Sequence, residues 1–159
     1  MVRILIARAT DGAGNWSGPI TGDFTVGTDP ASPENLVVSE IHYRPAGPSP
    51  EEDPGGLYSA TDFEFIELMN IGATPINLTG VRIDGGIRFA FPDGYVLPAG
   101  ARVVIVEDAL LAIRYPSVPA SQIVSEYDGN LSNDGEELAL VSAESGDLRR
   151  FAYNNAPPW

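Results

Sequence analysis

Between residues 36 and 153 the chain is a succession of short β-branched and aromatic runs, each closed by turn residues within ten residues or so. The runs are Leu36–Tyr43, Phe63–Met69, Thr74–Leu78, Val81–Asp84, Ile87–Phe91, Tyr95–Leu97, Arg102–Glu107, Ile123–Glu126, Glu137–Ser142 and Leu148–Tyr153. Between them stand Gly80, Gly85-Gly86, Pro92-Asp93-Gly94, Pro98-Ala99-Gly100, Asn133-Asp134-Gly135 and Ser145-Gly146-Asp147. Glycine tolerates positive φ, and proline removes a ladder donor, so such clusters stop strands and turn the chain. With 17 glycines and 14 prolines in 159 residues, long helices have little room. Many short strands at this spacing predict an all-β sandwich. Asn133-Asp134-Gly135 and Ser145-Gly146-Asp147 read as hairpin turns. The one helical candidate is Asp108–Arg114, with Asp108 placed to cap it and Pro116 to stop it.

Strand periodicity assigns faces. In Phe63–Met69, Glu64, Ile66 and Leu68 share one face, and Phe63, Phe65, Glu67 and Met69 the other. Ile66, Leu68, Val104 and Val106 are the expected core. At this chain length roughly 70% of the unfolded surface is buried on folding, enough for a real core.

The N-terminal stretch has a different character. Val2–Ala9 and Asp23–Val26 read as strands around the turn-rich Asp11–Pro19, which makes a hairpin. An isolated hairpin is marginal in water. Residues 1–27 are therefore expected to be the end of a preceding β domain, 28–35 a Pro-rich linker, and 36–159 the main domain. Arg44–Asp62 is a loop of unusual length, functional or mobile by its size.

Charge and composition exclude several function classes. Nine arginines, no lysine and 22 acidic residues give a net charge of −13. Such a field opposes binding to nucleic acid and to anionic membranes. The absence of cysteine removes disulfides, Cys–zinc sites and thiol chemistry. No apolar run approaches the ~18 residues of a membrane-spanning helix, so membrane insertion is not expected. The patch Ile4–Ala7 is too short for the core of a leader peptide, so an export signal would lie upstream.

From Leu36 onward the ordered motifs V-V-S-E-I-H-Y (37–43), E-F-I-E-L-M-N (64–70) and I-N-L-T-G-V-R-I (76–83) stand out. They continue as F-P-D-G (91–94), L-P-A-G-A-R-V-V-I-V (97–106), N-L-S-N-D-G-E-E-L-A-L (130–140) and P-P-W (157–159). The set resembles the lamin-tail domain in its bacterial form. The run A-R-A-T-D-G-A-G-N-W-S-G-P followed by F-T-V resembles the last hairpin of bacterial fibronectin-III-like or immunoglobulin-like domains. The lamin-tail resemblance implies an immunoglobulin-like β-sandwich, used as one module of large exported proteins and carrying no catalytic residues. It implies an extracellular or cell-surface location and a protein or cell-surface partner. Family members continue past the P-W pair into a closing strand, so 36–159 is expected to lack its last edge strand. The first functional expectation is a non-catalytic interaction or scaffold module. The alternative is an accessory carbohydrate- or calcium-binding domain beside an enzyme.

Candidate chemistry is sparse. His42 is the one histidine, and Ser39 lies on the opposite face of its strand, so no local Ser–His pair forms. Glu64 and Glu67, three apart on a strand, project to opposite faces and fail as a paired acid and base. Glu67 is expected outward and Glu64 to satisfy nearby backbone groups. Glu51, Glu52, Asp53 and Asp62, in or beside the long loop, are weak calcium candidates without D-x-D-x-D-G spacing. No catalytic residue and no cofactor is expected. Asn130–Glu137 reads better as a turn than as an acidic site. The triplets at Asn15, Asn77 and Asn130 match the glycosylation pattern and carry little weight. Tyr43, Tyr58, Tyr95, Tyr115, Tyr127, Tyr153 and Trp159 leave open either a sugar-stacking platform or ordinary core aromatics.

Overall fold

A computed structural model describes residues 2–25, 27–108 and 110–156. The pair β1 (Val2–Ala7) and β2 (Ile20–Thr25) comes first. It is followed by β3 (Asp29–Pro30), β4 (Leu36–His42), β5 (Phe65–Asn70), β6 (Ile76–Asn77), β7 (Val81–Asp84) and β8 (Ile87–Ala90). Then come β9 (Val96–Leu97), β10 (Arg102–Val106), the one-turn helix α1 (Leu111–Arg114), β11 (Ile123–Glu126), β12 (Asp128–Gly129), β13 (Gly135–Ser142) and β14 (Gly146–Asn154).

Two sheets face each other. One has the order β11-β10-β5-β4 and the other β12-β8-β7-β13-β14, so among the described residues β4 and β14 are edge strands of opposite sheets. Ile66, Leu68, Val103 and Ile105 from the first sheet meet Val81, Ile83, Phe89, Leu138, Leu140 and Leu148 from the second in one core. The all-β sandwich expected from the turn spacing is the fold observed. A three-stranded patch, β3-β6-β9, closes one end over Ala31, Leu36, Ile76 and Leu97.

All four expected core residues are buried, but not together. The β10–β5 pairing sets Ile105 opposite Ile66 and Val104 opposite Glu67. Directly opposed residues share a face, so Val104 and Val106 point away from Ile66 and Leu68. They pack with Phe65 and Leu111 in a second, smaller core on the outer face of the sheet. The V-V-I-V run is apolar on both faces because α1 and the following turns cover the side that would otherwise meet water.

The stretch 28–35 is not a linker. Asp29–Pro30 pairs in parallel with Ile76–Asn77, and Ala31 is buried. Asn35 accepts from the Ser32 N–H and donates to the Pro30 carbonyl, which fixes the turn. Proline content resembled a linker, but the prolines sit where no ladder donor is needed. The helical segment is shorter than expected, Leu111–Arg114 against Asp108–Arg114, with residue 109 outside the described residues. Asp108 does not cap it: Leu110 is the N-cap residue, and Asp108 accepts from the Leu110 N–H at 2.9 Å in the turn ahead of the helix.

Ser145-Gly146-Asp147 joins the antiparallel pair β13–β14, as expected of a hairpin turn. Asn133-Asp134-Gly135 does not: it leads from β12, which pairs with β8, into β13, which pairs with β7 and β14. Gly135 has φ +98°, and a Cβ there would lie 2.3 Å from the Tyr153 carbonyl oxygen, so two constraints demand glycine.

β1 and β2 pair in register from Val2↔Thr25 to Ala7↔Ile20 and form a sheet of their own. Asp11 organises the connecting loop by accepting from the Ala13 and Asn15 N–H groups. Val26, the end of the second expected strand, lies outside the described residues. Ile4, Leu5 and Ile6 are 68%, 58% and 66% exposed, so both faces of β1 are open.

Candidate functional site

Among the described residues, chemistry-bearing side chains gather in five places. The first is Glu64, at the end of β5 that faces the main core. Its residue is 1% exposed. The carboxylate accepts from the Leu131 N–H at 2.9 Å and from the Tyr127 hydroxyl at 3.4 Å. Burial pushes its carboxyl up to about 7; the two donors oppose that rise, and the charges of Glu107 and Glu136 add to it. Glu67 faces outward, accepting from the Ser39 hydroxyl at 2.7 Å and pairing with Arg102 at 3.1 Å. The two carboxylates lie on opposite faces, as strand geometry required.

His42 stacks on Phe65 with ring centroids 5.0 Å apart, and its Nε2 lies 3.5 Å from the Tyr115 hydroxyl. Ser39 is engaged with Glu67, not with His42. Burial holds the imidazole below its usual range, against the pull of Glu40 and with a smaller push from Arg114. A neutral ring wedged between two aromatics supports the edge of the second core.

The structure separates the four calcium candidates. Glu51 is exposed. Glu52 forms a two-point pair with Arg114, at 2.8 and 3.0 Å, and accepts from the Ser49 N–H. The Arg114 contact, with help from Ser49, holds the Glu52 carboxyl down to about 2. Arg114 also donates to the Ala46 and Gly47 carbonyls and lies 3.6 Å from the centre of the Phe63 ring. One guanidinium thus fastens the long loop to the sandwich. Asp53 accepts from the Tyr58 N–H at 2.8 Å and caps an internal turn of the loop.

Asp62 goes elsewhere. It accepts from Ser59 and groups with Glu107 and Asp108, one oxygen of each lying within 4.8 Å of the others. Burial raises the Glu107 carboxyl, and Asp62 and Asp108 raise it further. Three carboxylates could hold a cation, with water completing the ~6–8 oxygens that calcium takes. Neither Glu107 nor Asp108 was among the cation candidates read from sequence, where Asp108 stood only as a helix cap. The Glu107 N–H donates to the Glu64 carbonyl, and this cross-strand step is what brings them to Asp62.

The fifth place is a groove of about 710 Å³ between β4 and β14. Val38, Ile41 and Tyr43 line one wall, and Phe151 and Tyr153 the other. At one end Arg149 donates to the Pro33 carbonyl at 2.7 Å; at the other the Tyr43 hydroxyl reaches the Asn154 carbonyl at 3.4 Å. The aromatic set divides between core and rim. Tyr127 is buried, the Tyr43 and Tyr153 rings meet at 4.7 Å, and Tyr58 is exposed; Trp159 lies outside the described residues.

Two face-packed sheets around one shared core define an immunoglobulin-like β-sandwich. The Lamin Tail Domain family matches residues 29–155, and the chain belongs to that family. The matched span starts at β3, in agreement with the packing of Ala31. No individually curated protein matches the chain.

Proposed function

We propose that this chain is a non-catalytic interaction and scaffold module of a larger exported protein. The observation that carries the reading is the groove between β4 and β14, an apolar recess of ligand-binding size on an otherwise acidic molecule. The exposed apolar faces of the β1–β2 hairpin support the multidomain part. Ile4, Leu5 and Ile6 stand in water unless further strands cover them, as the last hairpin of a preceding β domain would require. The charged groups described above serve the fold: Glu64 a backbone N–H, Glu52 and Arg114 the loop, Glu67 and Arg102 the outer face. A panel of esterase, phosphatase, glycosidase and nuclease substrates, with and without divalent cations, is expected to give no turnover. Turnover that disappears in Glu64→Gln or His42→Ala would overturn the non-catalytic reading. Fractionation of the native producer is expected to place the protein outside the cell or at its surface.

The second reading, an accessory calcium-binding domain, is favoured by one observation: the convergence of Asp62, Glu107 and Asp108. Calcium bound to the folded state would raise thermal stability. A rise of several degrees at sub-millimolar calcium, lost in Glu107→Gln, would promote it; a flat titration would remove it.

A further inference from the structure

We propose that His42 is an acid-operated latch. As a neutral ring it pins α1 and the first half of the loop Arg44–Asp62 to the outer face of the sheet. Once protonated it lets the two lift together and uncovers the second core. This device is independent of the interaction-module reading and of what the groove binds.

The ring is placed to join three elements. His42 is the last residue of β4, so the loop leaves the sheet at its side. The β4–β5 register sets it opposite Phe65, on which it stacks. From the other side comes Tyr115, the C-cap residue of α1. The Tyr115 ring meets His42 edge-on at 6.4 Å and Phe65 at 6.1 Å, and its hydroxyl lies 3.5 Å from Nε2. Beside Tyr115 stands Arg114, which holds the loop through Ala46, Gly47 and Glu52. One imidazole thus touches the strand beneath it and the end of the helix that holds the loop down. Phe65, Val104, Val106 and Leu111 lie packed together here, with Tyr115 at their rim.

A proton on this ring upsets the arrangement. Burial opposes the charged form; Glu40, exposed on β4, favours it, and the Arg114 guanidinium opposes it. The other charges on these elements are engaged or turned to water. Glu67 of β5 pairs with Arg102 of β10, Glu52 of the loop pairs with Arg114, and Arg44 is exposed. β10 presents Val104 and Val106 to this core, which offer a cation nothing. A protonated imidazole carries hydrogen on both nitrogens, so Nε2 can no longer accept from the Tyr115 hydroxyl. Glu52 stays ionised throughout, its carboxyl being held down to about 2. The Arg114–Glu52 pair therefore survives, and α1 and the loop leave the sheet as one flap.

Linkage gives the direction. The folded imidazole is held below its ordinary 6.5, so the latch contributes fully above that value. Its contribution is lost as pH falls from 6.5 through the lower folded value. Glu64 acts with the opposite sign, since its protonated form is the one the fold favours. The two are told apart by place. Glu64 meets Tyr127 and Leu131, whereas His42 meets Phe65 and the end of α1.

The test uses the chain as it stands. His42 is the one histidine, so a single imidazole signal in the NMR spectrum reports its titration. Its midpoint is expected below 6.5. Amide exchange, corrected for its intrinsic pH dependence, is followed over the same range at Ser49, Glu52, Asp53, Tyr115 and Val118. Protection there should fall several-fold below pH 6.5 and level off below the imidazole midpoint, while Ile66 and Ile105 keep theirs. His42→Phe keeps a ring against Phe65 and takes no proton. It should hold the flap closed across the range, with a melting curve to show that the variant folds. If it does not fold, the wild type decides: a loss of protection that fails to track the imidazole titration would overturn the latch. So would an imidazole midpoint at or above 6.5, a loss that His42→Phe reproduces, or an equal loss at Ile66 and Ile105.

Discussion

Glu64 shows how much one buried carboxyl can set. Its folded value of about 7 lies above the ordinary 4.5, so the folded state holds the proton more tightly than the unfolded chain. The sign follows: its favourable contribution is full below pH 4.5 and is lost as pH rises through 7. Wild-type thermal stability should fall between pH 5 and pH 8, and Glu64→Gln should flatten that fall. At pH 8 the Gln variant should be the more stable, by on the order of 1–2 kcal/mol. Glu64→Ala should be less stable at every pH, because the buried Leu131 N–H loses its acceptor. Glu52 works at the other end of the scale: its stabilising pair with Arg114 is lost as pH falls below 4.5 toward 2. Arg114→Lys cannot reproduce the two-point pair or the stacking on Phe63, and amide exchange at Ser49, Glu52 and Asp53 should accelerate relative to β5 and β10. The structural role of Glu64 was legible in strand alternation. That of Arg114 was not, since its carboxylate partner lies 62 residues away and no local pattern links them.

At the scale of elements, β5 and β10 are buried on both faces, and this is where local patterns ran out. Alternation assigns faces within a strand, but only pairing register says which faces of two strands coincide. The Ile105↔Ile66 pair therefore separates Val104 and Val106 from Ile66 and Leu68. Ile105→Ala and Ile66→Ala should each cost about 2–5 kcal/mol and couple in a double mutant, because they face each other in one core. Leu68→Ala and Val106→Ala lie in different cores and should add to within about 0.5 kcal/mol. Urea unfolding of the four single and two double variants checks both statements. The strands themselves were readable because turn residues bracket them. The acidic trio was not, because Asp62 reaches Glu107 through tertiary packing alone.

For the whole molecule, β1 and β2 form a sheet of their own, while the main core draws on described residues from Ala31 onward. Deleting 1–27 should shift the melting temperature by less than about 3 °C, whereas deleting through residue 35 should lower it far more, since it removes β3 and buried Ala31. Double-stranded DNA should not bind at low salt in an anisotropy titration. Arg82 pairs with Asp84, Arg150 with Glu137 and Asp147, and Asp128 stands directly opposite Arg88, so the arginines make no continuous basic patch. Micromolar, salt-sensitive DNA binding would contradict this. The position of β14 has a mechanical consequence. Its last residue, Asn154, pairs with Gly135 at the open end of the β13–β14 hairpin. Tension that draws this end away from the sheet loads the hydrogen-bond pairs one after another, like a zip, not all at once in shear. In a tethered array such a module would yield first from its C-terminal side, shedding β14 and with it Leu148 from the main core, while the second core of Phe65, Val104, Val106 and Leu111 stays closed.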